Sequence, residues 1–196
     1  MSHTNHRLGS EESLQNDFPV LALGAKDITR KGAAPKLQQV KEIYAKHNPV
    51  NMTEMEREVN DNNVVHAVFN CEEDLVACMR ELKEADTGLS ITVSGLFDRV
   101  HECCREVGLA PHTVNISLGV WGNVEEKLPA DPRIAEVTTM CGHGMVPFAL
   151  VTDVAEKIKK GRLTPEKGAQ LLSGSCVCHI FNPERAARIL KSFAED

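Results

Sequence analysis

The sequence is poor in aromatic residues and lacks the marks of several common protein classes. Aromatics make up 4% of its 196 residues, with one Trp and one Tyr, so Val, Leu, Ile, Ala and Met must build the core. No apolar run approaches the roughly 18 residues of a membrane-spanning helix, so we expect no membrane partner. The N-terminal stretch has no apolar segment after its charged residues, so we expect no secretory signal.

The sequence also lacks an excess of basic charge. It has 22 Lys and Arg against 28 Asp and Glu, a net charge of -6. Nucleic-acid binding needs a basic face, so we expect no nucleic-acid partner. The P-loop, the dinucleotide fingerprint, HExxH and GxSxG are absent from the sequence. The ferredoxin run C-x2-C-x2-C is absent too, which disfavours simple electron transfer through such a site.

Cysteine is the residue type that stands out. There are 7 cysteines, an odd number, and no secretion signal is expected, so a scaffold held only by disulfides is disfavoured. We therefore predict a cytoplasmic protein whose cysteines are free thiols, metal ligands or catalytic groups. The function then depends on which cysteines carry chemistry.

The chain divides into three predicted parts. Residues 1–17 are polar and show no periodicity, which predicts a disordered tail. Residues 18–62 form an N-terminal segment with a helix predicted over 37–46 from its apolar spacing. Residues 63–196 are predicted to form an α/β domain with a metal-binding helical C-terminal section.

The pattern after residue 63 alternates strands with helices. Apolar runs predict strands near 64–69, 89–93, 114–120 and 134–140, with helices after the first two. Strand–helix–strand repeats are typical of parallel sheets covered by helices. We therefore predict the α/β class, with a mostly parallel or mixed four-stranded sheet, covering helices and a helical C-terminal section.

The C-terminal section carries clear helix boundaries. A helix is predicted from about residue 145 to Lys160. Thr164-Pro165 and Asn182-Pro183 each place a capping residue before a proline, which is a common sequence pattern at a helix start. Two loops, before the first helix and before the last, therefore lie at helix ends.

These two loops hold the candidate metal ligands. The first contains Cys141, which we predict to lie at the end of the fourth strand, where ligands gather in α/β sheets. The second contains Cys176 and Cys178, and it leads into the start of the last helix, whose amides can bind sulfide or an anion. Gly142 and Gly144 permit close approach of a bulky ligand, so we predict that they contact the cofactor.

The spacing of the three cysteines favours an iron–sulfur cluster over zinc. A lone Cys and a C-x-C pair, separated by 34 residues, do not form the two C-x2-4-C knuckles of structural zinc sites. Three thiolates leave one iron of a [4Fe-4S] cluster open to substrate, where it acts as a Lewis acid. This arrangement is typical of hydro-lyases and desulfurases. We predict an enzyme of anaerobic metabolism, of the lyase or desulfurase type, that acts on a small-molecule substrate.

Three alternatives use the same residues. The first is a zinc enzyme or a zinc-stabilised domain. The second is a redox-responsive or ligand-responsive regulatory protein without turnover. The third is a metal-free thiol enzyme with Cys141 as its nucleophile. A small α/β domain could also bury one face in a homodimer.

Further candidates surround this set. His143 and His179 lie within two residues of predicted ligands, and we predict that they transfer protons as catalytic residues. Arg185, near the start of the last helix, is predicted to bind the cofactor or substrate as a carboxylate clamp. Cys71 follows the first strand and would be a fourth ligand or a catalytic thiol if parallel strands brought it to the edge of Cys141.

The remaining three cysteines are predicted to be structural or incidental. Cys78 and Cys104 lie on apolar helix faces, which predicts core packing. Cys103 is adjacent to Cys104, so we predict that its thiol is exposed.

Overall fold

A computed structural model describes residues 7–110 and 128–196. These residues form two compact units, which are described separately. The sheet unit contains Gln15–His112, as far as it is described, and Cys178–Ile180. The helical unit contains the described residues of Met1–Leu14, Thr113–Val177 and Phe181–Asp196.

The described elements alternate in type only in the first half of the chain. Their bounds, in chain order, are α1 (Glu11–Leu14), β1 (Phe18–Leu23), α2 (Ala34–Lys46), β2 (Asn51–Met52), β3 (Val64–Phe69), α3 (Glu72–Ala85), β4 (Ser90–Val93), α4 (Phe97–Glu106), α5 (Pro132–Thr138), α6 (Phe148–Lys159), α7 (Pro165–Ser173), α8 (Pro183–Lys191) and a final 3-10 turn (Ser192–Ala194). No helix in the described ranges is both long and apolar enough to cross a membrane.

The sheet is antiparallel, so the prediction of a mostly parallel or mixed sheet is wrong. The described strands lie in the order β2-β3-β1-β4, and each adjacent pair is antiparallel. Phe18 of β1 pairs with Phe69 of β3, and Val20 pairs with Val93 of β4. Because β3 and β4 are both antiparallel to β1, they run in the same direction with β1 between them. They are the outer strands of a split β-α-β unit, in which a third strand separates the two.

The fourth predicted strand is also wrong, because residues 134–140 belong mainly to α5. Asp131 begins this helix, since its side chain accepts a hydrogen bond from the backbone N–H of Arg133, with Pro132 in the first helical position. The β-branched Ile134 and Val137 had favoured a strand, but both are buried on the helix. The predicted strand at 114–120 lies outside the described residues.

The core of the sheet unit lies among the sheet, α2, α3 and α4. Tyr44 of α2 packs edge-on against Phe69 of β3, with ring centroids 6.5 Å apart. Cys78 and Cys104 are buried as predicted, whereas the prediction of an exposed Cys103 is wrong because its side chain is 2% exposed. A buried Lys41 donates hydrogen bonds to the carbonyls of Met55 and Arg57, and so anchors the loop before β3.

The helical unit is built from α5 to α8, and its helix starts at residues 164 and 182 are confirmed. Thr164 accepts a hydrogen bond from the backbone N–H of Lys167, and Asn182 accepts one from the backbone N–H of Arg185. These caps satisfy donors that a helix start leaves unpaired. The two turns that carry Cys141 and Cys176 precede α6 and α8.

Candidate functional site

Cys141 lies in the turn between α5 and α6, where a helix and not a strand precedes it. Its backbone N–H donates to the carbonyl of Thr138 at 3.2 Å, and its own carbonyl accepts from the N–H of Gly144 at 3.2 Å. Gly144 has a φ of 68°, a left-handed conformation that favours glycine. The turn thus needs Gly144 for its backbone shape, and it leaves the Cys141 side chain only 3% exposed.

Cys176 lies in the turn between α7 and α8. The backbone N–H of Ser175 donates to the carbonyl of Leu172 at 3.1 Å, and that of Cys176 donates to the carbonyl of Ser173 at 2.9 Å. These bonds wind the end of α7 into a tight turn that directs the chain inward. The Cys176 side chain is 1% exposed.

The helical unit brings two of the three predicted metal ligands together. Hydrogen bonding with the Cys176 side chain is the first cause of the raised pKa of the Cys141 thiol, although 34 residues separate the two in the sequence. Both belong to helix-terminal turns, which fix the backbone on either side of the pair. We call these two residues the thiol pair.

Burial and the neighbouring thiol govern the acidity of this pair. The hydrogen bond with Cys176, then burial, then the charge of Cys176 raise the pKa of Cys141 well above the ordinary thiol value. Hydrogen bonds from the backbone N–H groups of Met145 and His143 to the Cys141 sulfur act in the opposite direction. Such amide donors stabilise a negatively charged sulfur. The net effect favours the protonated thiol, and the two amide donors are the groups of this turn that would stabilise a thiolate if a cation replaced the proton.

The other residues of the two loops have different surroundings. His143 is exposed and Gly142 is half-buried. Cys178 is 9% exposed, and it groups with His179 in the sheet unit. Its role as a third ligand stays a prediction, based on its place two residues after Cys176.

His179 occupies an uncommon backbone conformation. Its φ is 58°, and its Nε2 lies 3.7 Å from Oε1 of Glu54, a residue that the sequence pattern did not single out. Both belong to the sheet unit. Proton transfer by His179 stays a prediction.

Arg185, predicted as a cofactor clamp, binds the N-terminal segment of its own unit. Its guanidinium is fully buried. It donates to the carbonyl of Leu8 at 2.6 Å, to the hydroxyl of Ser13 at 3.0 Å and to the carboxylate of Glu136 at 3.5 Å. These partners come from distant parts of the chain, and no local sequence motif predicts the contacts. We call residues 8–13 the N-terminal strap.

Cys71 belongs to the sheet unit, at the residue that precedes α3. Its thiol donates a hydrogen bond to Oδ2 of Asp74 at 3.2 Å. Burial, chiefly, raises the pKa of this thiol. The Cys71 thiol thus forms a hydrogen bond at the start of α3. Its role as a fourth ligand stays a prediction, and the parallel strands on which that prediction relied are not present in the described sheet.

A complete metal site is not formed by the side chains described. Within residues 7–110 and 128–196, no group of three or more His, Cys, Asp or Glu side chains is arranged to hold a metal ion. The thiol pair provides two suitable donors.

Comparisons with family models, with curated proteins and with solved structures find no match to this chain. Function therefore has to be argued from the site and not from fold-level analogy.

Proposed function

We propose that the chain is a metalloprotein whose metal centre uses the thiolates of Cys141 and Cys176. The observation that carries the proposal is that both cysteines are buried in helix-terminal turns of the same compact unit. Two buried thiolates repel each other, and a bound cation removes that repulsion while it replaces the lost thiol protons. The amide donors on the Cys141 sulfur support the same charge state.

The contact between the sulfurs favours a single ion over a cluster. A tetrahedral zinc ion, with Zn–S bonds of about 2.3 Å, holds two thiolate sulfurs about 3.8 Å apart. A [4Fe-4S] cluster places an iron–sulfur core between its ligands and needs its sulfurs further apart. Two thiols in hydrogen-bonding contact are closer to the first arrangement. Zinc is therefore the first candidate metal, with Cys178 proposed as a further ligand from its spacing.

The [4Fe-4S] enzyme remains the second candidate, and the lone-Cys and C-x-C spacing favours it. In that case Cys141, Cys176 and Cys178 would hold the cluster. A bound metal of either kind would supply Lewis-acid chemistry toward a small-molecule substrate. His143 is the proposed proton carrier, because it is exposed to solvent two residues from Cys141.

The metal-free thiol enzyme is less well supported. A nucleophilic cysteine must be a thiolate near neutral pH. Here the hydrogen bond with Cys176 and burial both raise the pKa of Cys141.

All seven cysteines are free thiols, which supports the proposal of a reducing compartment such as the cytoplasm.

Metal analysis tests the proposal directly. Protein purified without oxygen should contain stoichiometric zinc and be colourless. Iron with sulfide, and broad absorbance near about 400 nm, would instead identify the cluster. Protein that holds neither metal, and that fails to bind added zinc or to accept a reconstituted cluster, would exclude a metal centre.

Single substitutions then assign the ligands. We expect Cys141→Ala and Cys176→Ala each to abolish metal binding, because each removes one of the two thiolates that meet. Cys78→Ala is the matched control, since Cys78 is equally buried but belongs to the sheet unit. Cys178→Ala tests the third ligand. Metal retained in both Cys141→Ala and Cys176→Ala would contradict the proposed site.

A further inference from the structure

A loop of the sheet unit holds a large apolar side chain in solvent. Ile28 lies between β1 and α2, and its side chain is 83% exposed. The carbonyl of Ala25 accepts hydrogen bonds from the backbone N–H groups of Ile28, Thr29 and Arg30 at 3.0–3.1 Å. The backbone N–H of Ala25 donates to the hydroxyl of Thr29 at 3.0 Å. A hydrogen-bonded turn, and not a loose stretch of chain, therefore exposes Ile28.

Positive charge surrounds this apolar tip. We call residues 25–33, together with Lys36 in the first turn of α2, the basic loop. Its cations are Lys26, Arg30, Lys31 and Lys36, and its one acidic residue is Asp27. Lys26, Lys31 and Lys36 are exposed and form no ion pair within the residues that the structure describes. The basic loop therefore has charge available for an acidic partner.

The loop between β2 and β3 has the opposite charge. We call residues 53–61 the acidic loop. Its charged residues are Glu54, Glu56, Glu58 and Asp61, with Arg57 as the one cation. Glu56 and Glu58 are exposed and form no ion pair in the described part of the chain. Met55, between them and β2, is 39% exposed, so this loop also combines charge with an apolar side chain.

Hydrogen bonds hold the two loops next to each other. The carboxylate of Asp61 accepts from the backbone N–H of Gly32 at 2.9 Å and from that of Ala34 at 2.8 Å. Lys41 of α2 donates to the carbonyls of Met55 and Arg57. The basic loop leads into α2 and the acidic loop is bonded to it, so the sheet unit presents adjoining surfaces of opposite charge.

We propose that these adjoining loops bind a second copy of this chain in a two-fold symmetric dimer. The basic loop of each copy faces the acidic loop of the other, because a two-fold interface makes the same contact twice. Ile28 of one copy meets Met55 of the other, which gives each contact an apolar centre with a charged rim. The proposal goes beyond the proposed metal centre and does not depend on it, since the thiol pair belongs to the helical unit.

The acidic loop favours a second copy over an anionic surface as the partner. A membrane of acidic lipids or a nucleic acid would attract the basic loop, but it would repel the acidic loop that Asp61 joins to it. A second copy satisfies both loops at once. The net charge of -6 opposes association at long range, but salt screens this repulsion more than it screens charges in contact.

Sedimentation velocity of the full-length, reduced protein tests for the dimer. We expect a reversible monomer–dimer equilibrium at about 50 mM salt, with a dissociation constant that rises at least about tenfold at about 500 mM salt. A chelator should leave this equilibrium unchanged, which distinguishes it from a dimer bridged by metal. Wild-type protein that stays monomeric up to about 0.5 mM, or that dimerises only with bound metal, would overturn the proposal.

Reversal of charge identifies the surface. Lys26→Glu with Lys31→Glu should raise the dissociation constant at least about tenfold, and so should Glu54→Lys with Glu58→Lys, because each double variant brings like charges together. Glu56 is left in place, since its charge acts on the buried Lys41. An equimolar mixture of the two double variants should dimerise again, because both of its loop contacts join opposite charges. Failure of the folded variants to associate in this mixture would contradict the pairing.

A matched control separates contact from overall charge. Lys167→Glu with Lys191→Glu changes the net charge equally, at exposed residues of the helical unit, and should keep a dissociation constant within about threefold of the wild type. An effect as large as that of Lys26→Glu with Lys31→Glu would show that overall charge alone matters. Ile28→Ser, at a side chain already in solvent, should weaken the dimer about tenfold. An unchanged dissociation constant would remove Ile28 from the interface.

Vesicles of phosphatidylserine and phosphatidylcholine in equal parts test the other class of partner. The wild type should not sediment with them at about 150 mM salt. If a monomeric wild type binds these vesicles and Lys26→Glu with Lys31→Glu abolishes the binding, the basic loop is a membrane contact and the dimer is wrong.

Discussion

Gly168 of α7 packs closely against two other helices. A Cβ atom added there would lie 2.8 Å from Cγ1 of Val154 and 3.2 Å from Cδ1 of Ile158, both on α6, and 3.5 Å from Cδ1 of Leu190 on α8. The shortest of these distances is too small for two carbon atoms unless one moves. A core packed at the density of a crystal leaves little room for such movement.

We expect Gly168→Ala to lower the free energy of unfolding by about 1–3 kcal/mol, as overpacking does. The helix propensity of alanine, worth about 1 kcal/mol over glycine, offsets part of this cost. Gly174→Ala is the control, because its nearest contacts are 3.5 Å or longer and its φ is -60°. This variant should be at least as stable as the wild type. Urea unfolding measures both, and equal stability of the two variants would contradict the packing argument.

The stability that Asp131 contributes at the start of α5 depends on pH. Its carboxylate accepts a hydrogen bond from the backbone N–H of Arg133 at 2.9 Å and further bonds from the guanidinium of the same residue. The side-chain bond with Arg133 is the main cause that lowers the pKa of Asp131. A carboxyl with a lowered folded-state pKa stabilises the protein above its unfolded pKa of about 3.9, and this contribution is lost as the pH falls through the folded pKa.

Asp131→Ala should therefore cost about 1 kcal/mol near pH 7, the usual loss for a removed N-cap. The difference from the wild type should shrink at acid pH, as the pH falls through the lowered folded-state pKa of the wild-type carboxyl. Asp131→Asn, which keeps a capping oxygen but cannot titrate, should be less destabilised at pH 7 than the alanine variant. Urea unfolding at the two pH values measures this. An alanine effect that is the same at both would show that the carboxylate charge contributes nothing.

At the scale of elements, local signals predicted the helix starts and missed the sheet order. The helix starts at Thr164-Pro165 and Asn182-Pro183 were predictable because a capping residue and a proline determine the backbone conformation locally. Asp131-Pro132 is also a capping residue followed by a proline, but the apolar residues after it are as compatible with a strand as with a helix. The place of β1 between β3 and β4 was not predictable, because strand pairing joins distant segments and no local residue encodes the neighbour.

Helix α8 carries two arginines in opposite environments. Arg185 is buried and holds the N-terminal strap through Leu8 and Ser13, whereas Arg188, three residues later, is exposed. Arg185 also provides a cationic partner for Glu136. Removing the guanidinium would leave a carbonyl and a carboxylate without this donor in a largely water-free place.

We expect Arg185→Met to lower the free energy of unfolding by about 2–4 kcal/mol, between the costs of breaking a buried hydrogen bond and a buried ion pair. Arg188→Met, the matched control, should change it by less than about 0.5 kcal/mol. Limited proteolysis should cut the N-terminal strap faster in the first variant only. Arg185→Lys should not restore stability, because an ammonium cannot reproduce the guanidinium fork. Equal proteolysis of both methionine variants would argue against anchoring by Arg185.

At the scale of the whole molecule, the sequence predicts which loops carry the cysteines but not the tertiary contacts around them. Cys141 and Cys176 both lie in loops before helix starts, which the sequence predicts, and their role as ligands together with Cys178 stays a prediction. The grouping of Cys178 with a different compact unit from Cys176 was not predictable, since a spacing of two residues does not determine which core a side chain joins. The hydrogen-bonding partners of Arg185 were not predictable either, because only tertiary packing brings these distant residues together.

The seven thiols differ in their access to solvent. Cys71 is half-buried, and the other six are buried. Burial, as the first cause, raises the pKa of Cys103 from 9.0 to about 11 and that of Cys78 to about 12. Only the thiolate reacts with disulfide reagents. Each unit of pKa lowers the thiolate fraction about tenfold near neutral pH, so burial and acidity both protect these two cysteines.

We therefore expect the reduced, metal-free native protein to react with Ellman's reagent in two phases. One thiol should react quickly, and Cys71→Ser should remove that phase, because Cys71 alone is partly exposed. Cys78→Ser should leave it unchanged, since the Cys78 thiol is buried and its pKa is about 12. In denaturant all seven thiols should react together, because unfolding removes both kinds of protection. Two or more thiols that react in the fast phase of the native protein would show that a second cysteine is open to solvent.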